Sequence, residues 1–156
     1  MTRSLSLLST VVLTVFLIVG CGHSKTPAEA SKTFGTQPNL TESVDIATLN
    51  AEPANYINKD VLVVGKIVNM CRHSGCWVEI QASDTASIIC RSLDESVHFT
   101  TDCLGKSVRL QGKLMYDPNA PGEVEKAHEG EAPHACPAPK VLVSLSGAEV
   151  SLATSK

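Results

Sequence analysis

Surplus positive charge and aromatic side chains are both scarce in this chain, which has 13 Lys and Arg against 16 Asp and Glu, and one Trp, two Tyr and three Phe among 156 residues. A net charge of −3 leaves no electrostatic footprint for a polyanion. Binders of single-stranded nucleic acid stack bases on several aromatics interleaved with basic residues, and Trp77 has no aromatic neighbour in the strands around it. Nucleic acid is therefore disfavoured as a partner. The apolar stretch Leu5 to Val19 has 15 residues, short of the roughly 17 to 25 that a membrane-spanning helix needs. Common catalytic templates are missing as well. Neither a redox Cys-x-x-Cys nor a haem Cys-x-x-Cys-His occurs, and His128-Glu129 would need a histidine at position 132 to make a zincin helix, where Ala132 stands. No catalytic residue is assigned.

What is present begins with Arg3, the uncharged stretch Leu5 to Val19, and Leu17-Ile18-Val19-Gly20-Cys21. This segment resembles the signal peptide and lipobox of bacterial lipoproteins. The resemblance implies that residues 1–20 are removed, that the Cys21 thiol is diacylated, and that the chain sits lipid-anchored on the bacterial cell envelope facing the periplasm. Gly22 is not the aspartate associated in some bacteria with inner-membrane retention, so the outer membrane is the mildly preferred destination. An ordinary secretory signal with a chance cysteine, or a single span, are the alternatives. Cleavage before Cys21 would leave 136 residues with a formal charge of −4, since Arg3 alone among the charged residues is lost. Five further cysteines remain: Cys71, Cys76, Cys90, Cys103 and Cys136. An odd number cannot all pair within one chain in an oxidising compartment.

Residues 21–41 are rich in Lys, Ser, Thr, Pro and Gly and read as a flexible tether, spanning about 25 Å root-mean-square as a coil. The remainder, 42–156, reads as one domain. Ser43 to Asn50 offers a capping serine with Ile46 and Leu49 three apart, which predicts a short helix before Pro53. The pattern Val61-Leu62-Val63-Val64-Gly65-Lys66-Ile67 returns 47 residues later as Val108-Arg109-Leu110-Gln111-Gly112-Lys113-Leu114. Both are alternating strands whose glycine sits where a barrel strand must bend. Cys76 to Gln81, Ala86 to Ser92 and Val141 to Val150 supply three more strands, while Leu93 to Lys106 is a turn or short helix. A mainly β fold follows, a small five-stranded Greek-key barrel of the OB type with a short N-terminal helix and a long loop over 116–140; a β-sandwich is the runner-up. Tyr56, Val61-x-Val63-x-Gly65-x-Ile67, Cys71, Gly75-Cys76-Trp77 and Gly105-Lys106 make the stretch from Ser43 to Leu114 similar to a family of exported bacterial OB-like domains of unknown function. That resemblance implies fold and address, not chemistry.

Two segments carry ligand-type side chains. Cys71-Arg72-His73-Ser74-Gly75-Cys76 is a short turn flanked by thiols, suited either to a disulfide or to two thiolate ligands on one metal. His128-Glu129-Gly130-Glu131-Ala132-Pro133-His134-Ala135-Cys136 places two imidazoles and a thiol within nine residues of the long loop. In OB barrels the loops joining strands 1 to 2 and 4 to 5 flank one binding face, and these are the loops concerned. Cys71, Cys76, Cys136 and His134 would make a four-ligand site for Zn(II), or for Cu(I) with fewer ligands, with His128 or His73 as substitutes. The competing pairing bridges Cys71 to Cys76 and Cys136 to Cys103 or Cys90. Cys90 is expected to be a buried apolar side chain, His98 with Cys103 a weaker candidate pair, and Trp77 to face away from Cys76 and pack against the tether or the helix.

Three functions are compatible with this pattern: a lipid-anchored envelope module that binds a transition metal, a disulfide-stapled barrel that docks another envelope protein, and, least favoured, a thiol-redox protein using Cys71 and Cys76. The last lacks an obvious cause for a lowered thiol pKa beyond Arg72 or His73.

Overall fold

The computed structural model describes residues 30–127 and 132–152, so Cys21, the signal-peptide segment and His128 lie outside the described residues. In chain order the elements are β1 (Ser31–Gly35), α1 (Ile46–Ala51), β2 (Asp60–Met70), β3 (Trp77–Ser83), β4 (Ala86–Arg91), β5 (Ser107–Tyr116), β6 (Gly122–Lys126), β7 (His134–Ala138) and β8 (Val141–Ser151). Apolar alternation turns Val61, Val63, Ile80, Ile88, Leu110 and Val143 into one core, and five strands close around it. The pairings run β2 to β3 to β4 to β8 to β5 and back to β2. The contact of β4 with β8 is parallel and the other four are antiparallel. This closed mixed barrel has the strand order expected of an OB-like fold, and closure rules out the open sandwich.

The glycines fulfil their expected role. A Cβ at Gly112 would overlap the Ser144 carbonyl, and one at Gly65 would stand 2.5 Å from the Gln81 carbonyl, so neighbouring strands approach too closely there for any side chain. Two phase breaks in the apolar pattern are bulges. On β8 the inward residues shift from Val143 and Leu145 to Ala148 and Val150 where the register slips opposite Gln111 and Gly112. On β2 the slip between Ile67 and Asn69 turns Met70 inward instead of Asn69.

Four expectations need correction. The tether ends sooner than residue 41, because Ser31–Gly35 pairs antiparallel with Gly147–Ser151 of β8 and Phe34, 8 % exposed, packs on Phe99 with ring centroids 4.9 Å apart. One aromatic among polar residues is enough to anchor an edge strand when its backbone donors find a sheet. Helix α1 is capped by Asp45 rather than Ser43, the carboxylate accepting the Thr48 N–H at 3.1 Å. The 116–140 segment is not one loop but carries the β6–β7 hairpin, with Val124 opposite Cys136. Trp77, finally, packs with Cys76 rather than away from it. Cys76 precedes the strand, which starts at Trp77, so strand alternation does not separate the two. Leu93 to Lys106 holds a single 3-10 turn, Thr101–Cys103.

Helix α1 buries Ile46 and Leu49 in the main core, and the Asn50 side chain donates to the Ser87 carbonyl at 2.9 Å. Replacing Asp45 by alanine removes the cap and is expected to cost about 1 kcal/mol in denaturant titration. Ser43→Ala should leave the midpoint unchanged.

Candidate functional site

A second, smaller core lies outside the barrel. It consists of Cys71, Cys76, Trp77 and Cys136, with Ile89 and Val124 against it, and it forms where the β6–β7 hairpin covers the outer face of β3 and β4. Cys71 follows directly on β2, its N–H donating to the Trp77 carbonyl at 3.0 Å. The turn to Cys76 is held from outside: Gly75 adopts φ +69°, its carbonyl accepts the Phe99 N–H at 2.9 Å, and the Cys76 carbonyl accepts the Ser92 N–H at 2.8 Å. On β7, period-two alternation puts His134, Cys136 and Ala138 on one side, and Cys136 is fully buried. His134 stacks on His73 with ring centroids 4.4 Å apart and 16° between planes. Its Nε2 lies 3.8 Å from Cys71 Sγ.

The structure thus brings together Cys71, Cys76, Cys136, His134 and His73 from two segments distant in sequence. It separates the others. Cys90 and Cys103 belong to the barrel interior, so neither is placed to bridge Cys136, which lies in the outer cluster. Burial alone pushes the Cys90 thiol up. His98 does not face a thiol: Nδ1 meets the Ser74 carbonyl at 2.8 Å and Nε2 the Glu95 carbonyl at 2.7 Å, so this ring braces the turn. All five described cysteines are unbridged in this structure.

The thiols are electrostatically unequal. Burial raises the Cys71 pKa, but the Ser74 N–H and hydroxyl and the His73 and Gly75 N–H groups outweigh it, and the value falls from 9.0 to about 6. Backbone donors converging on one sulfur form an anion nest. Desolvation comes first for Cys76 also, and with the charges of Cys71 and Cys136 it outweighs the Ser74 hydroxyl, so Cys76 is pushed up to about 11. Cys71 is therefore a thiolate at neutral pH while Cys76 keeps its proton. In metal-free protein the thiolate ultraviolet absorbance should show a step centred on pH about 6 that Cys71→Ser abolishes. Absence of any step below the ordinary thiol range would contradict the nest. The depressed Cys71 pKa adds stability as pH rises from about 6 toward 9, and acidification through 6 removes it.

Among the described residues, no three or more His, Cys, Asp or Glu side chains already stand in a metal-binding arrangement. Zn–S and Zn–N bonds of about 2.3 and 2.0–2.1 Å at a tetrahedral angle put sulfur and nitrogen about 3.6 Å apart, against 3.8 Å between Cys71 Sγ and His134 Nε2. A nest of N–H donors around a ligand sulfur is also the outer-shell support that thiolate metal sites use.

No family model, no curated protein and no solved structure matches this chain. No helix among the described residues is long and apolar enough to cross a membrane. Sequence reasoning missed Arg91, a buried cation under the hairpin, whose only signal is a charge at an outward position of an apolar strand.

Proposed function

We propose that this protein is a lipid-anchored module of the bacterial cell envelope that holds one transition-metal ion between Cys71, Cys76, Cys136 and His134, with His73 as a reserve ligand. The observation that carries this reading is the convergence of three thiols and an imidazole from the β2–β3 turn and the β6–β7 hairpin on one spot. Three sulfurs and one nitrogen suit Zn(II), and a subset suits Cu(I). A set of four closed by protein leaves no position for water, so the role is that of a carrier, sensor or structural site. Cys71 would hold the ion through a sulfur already ionised at neutral pH, and Cys76 would have to release its proton to become a ligand. The lipid anchor rests on the Cys21 segment of the sequence.

A second reading has a specific observation in its favour. A low-pKa thiolate beside a protonated thiol is the pairing of attacking and resolving cysteines, so a Cys71–Cys76 redox couple is the alternative. Counting free thiols in the purified full chain before and after chelation separates the two. Release of one metal with exposure of two or more thiols supports the metal site. A metal-free protein in which Cys71 and Cys76 cycle reversibly with a thiol reagent supports the couple.

A further inference from the structure

The hairpin covers a second polar feature that the thiol cluster does not use. Arg91 closes β4 directly opposite Trp77 of β3, on the outer face of the barrel, and is only 4 % exposed. Its Nη1 donates to the Pro137 carbonyl at 3.2 Å, while Nε is buried without a partner. Among the described residues no carboxylate pairs with it. Trp77 Nε1, across the ladder on the same face, is likewise a buried donor without an acceptor. A buried guanidinium without a counterion is costly, and of these two residues Arg91 is the one that borders a cleft.

Beside Arg91 opens a cleft of about 250 Å³ whose walls include Leu93, Met115, Pro121 and Leu142, with Lys140 as a second cation. Asp117 also borders it, but its Oδ1 is engaged with the Asn119 N–H at 2.8 Å in its own turn. A planar guanidinium matches the two oxygens of a carboxylate, and the apolar walls call for hydrocarbon behind them. We propose that this cleft binds a small carboxylate with an apolar tail, its oxygens on Arg91 and its tail along Leu93, Met115 and Leu142. The site does not depend on whether a metal is held at the thiols.

The test is a titration of the full chain with hexanoate and with hexanamide, the neutral analogue of similar shape, followed through the fluorescence of the single Trp and through thermal shift. Hexanoate is expected to bind at least about tenfold more tightly than hexanamide, as an ionised partner for a buried guanidinium should. Arg91→Met should erase that preference and Arg91→Lys keep part of it. Equal binding of the two compounds, binding of neither, or a preference surviving in Arg91→Met would overturn the proposal. The comparison of the two compounds on the unaltered protein decides the matter even if both variants misfold.

Discussion

Gly75→Ala is expected to destabilise the protein by about 2–4 kcal/mol and to abolish the thiol cluster with it. Two costs combine at this position. The residue sits at φ +69°, where a side chain is strained, and the new Cβ would overlap the Phe99 carbonyl, part of the backbone that holds the turn. All the atoms it would meet are Phe99 backbone rather than a flexible side-chain tip, so the overlap is relieved only by moving the Cys71–Cys76 turn. Gly122 provides the control, because it too has positive φ, +85°, yet nothing lies within 4 Å of its added Cβ. Gly122→Ala should cost about 1 kcal/mol in the same denaturant titration. Equal costs at the two sites would mean that the turn is not clamped against Phe99.

The second large effect is on metal affinity. Cys71→Ser, Cys76→Ser and Cys136→Ser should each weaken Zn(II) binding by more than about a hundredfold, since loss of even an outer-shell partner costs about 10–100-fold. Cys90→Ala and Cys103→Ala are the comparison, both thiols lying in the barrel core away from the hairpin. They should lower stability and leave affinity unchanged. His134→Ala should cost more than His73→Ala, because the His134 Nε2 is the atom found 3.8 Å from Cys71 Sγ. Affinity measured by competition with a chromophoric chelator reads all of these directly. Uniform losses across the five cysteines would point to general unfolding rather than a site. Acidification should weaken binding too, as protons compete for the sulfurs.

The barrel was legible because its signal is periodic and local. Val61, Val63 and Ile67, and again Val108, Leu110 and Leu114, alternate with a glycine at the bend, and the chain uses them accordingly. The shift of the inward set from Leu145 to Ala148 comes from a bulge opposite Gln111 and Gly112, which simple alternation along Val141 to Val150 does not announce. Elements whose stability comes from a distant partner were harder to read. Strand β1 has one buried aromatic, and its remaining support is the edge of β8, 100 and more positions away. The β6–β7 hairpin interleaves Glu and Pro, a composition that suggests solvated loop, yet Val124 and Cys136 pair across it over the outer face of the barrel. Ser43 is the cap the sequence suggests, and Asp45 takes the role because its carboxylate reaches the Thr48 N–H.

At the site, the sequence named the thiols and His134 but not what surrounds them. The turn's N–H groups lower the Cys71 pKa, and backbone donors leave no trace in side-chain identity. Trp77 and Arg91 become neighbours only once the β3–β4 register is known.

The most direct test is an X-ray absorption spectrum of the full chain loaded with Zn(II). A first shell of three sulfurs at about 2.3 Å and one nitrogen at about 2.0–2.1 Å is the predicted result. A shell of oxygen and nitrogen alone, or a chain that takes up no zinc with its thiols reduced, would contradict a metal centre at Cys71, Cys76, Cys136 and His134.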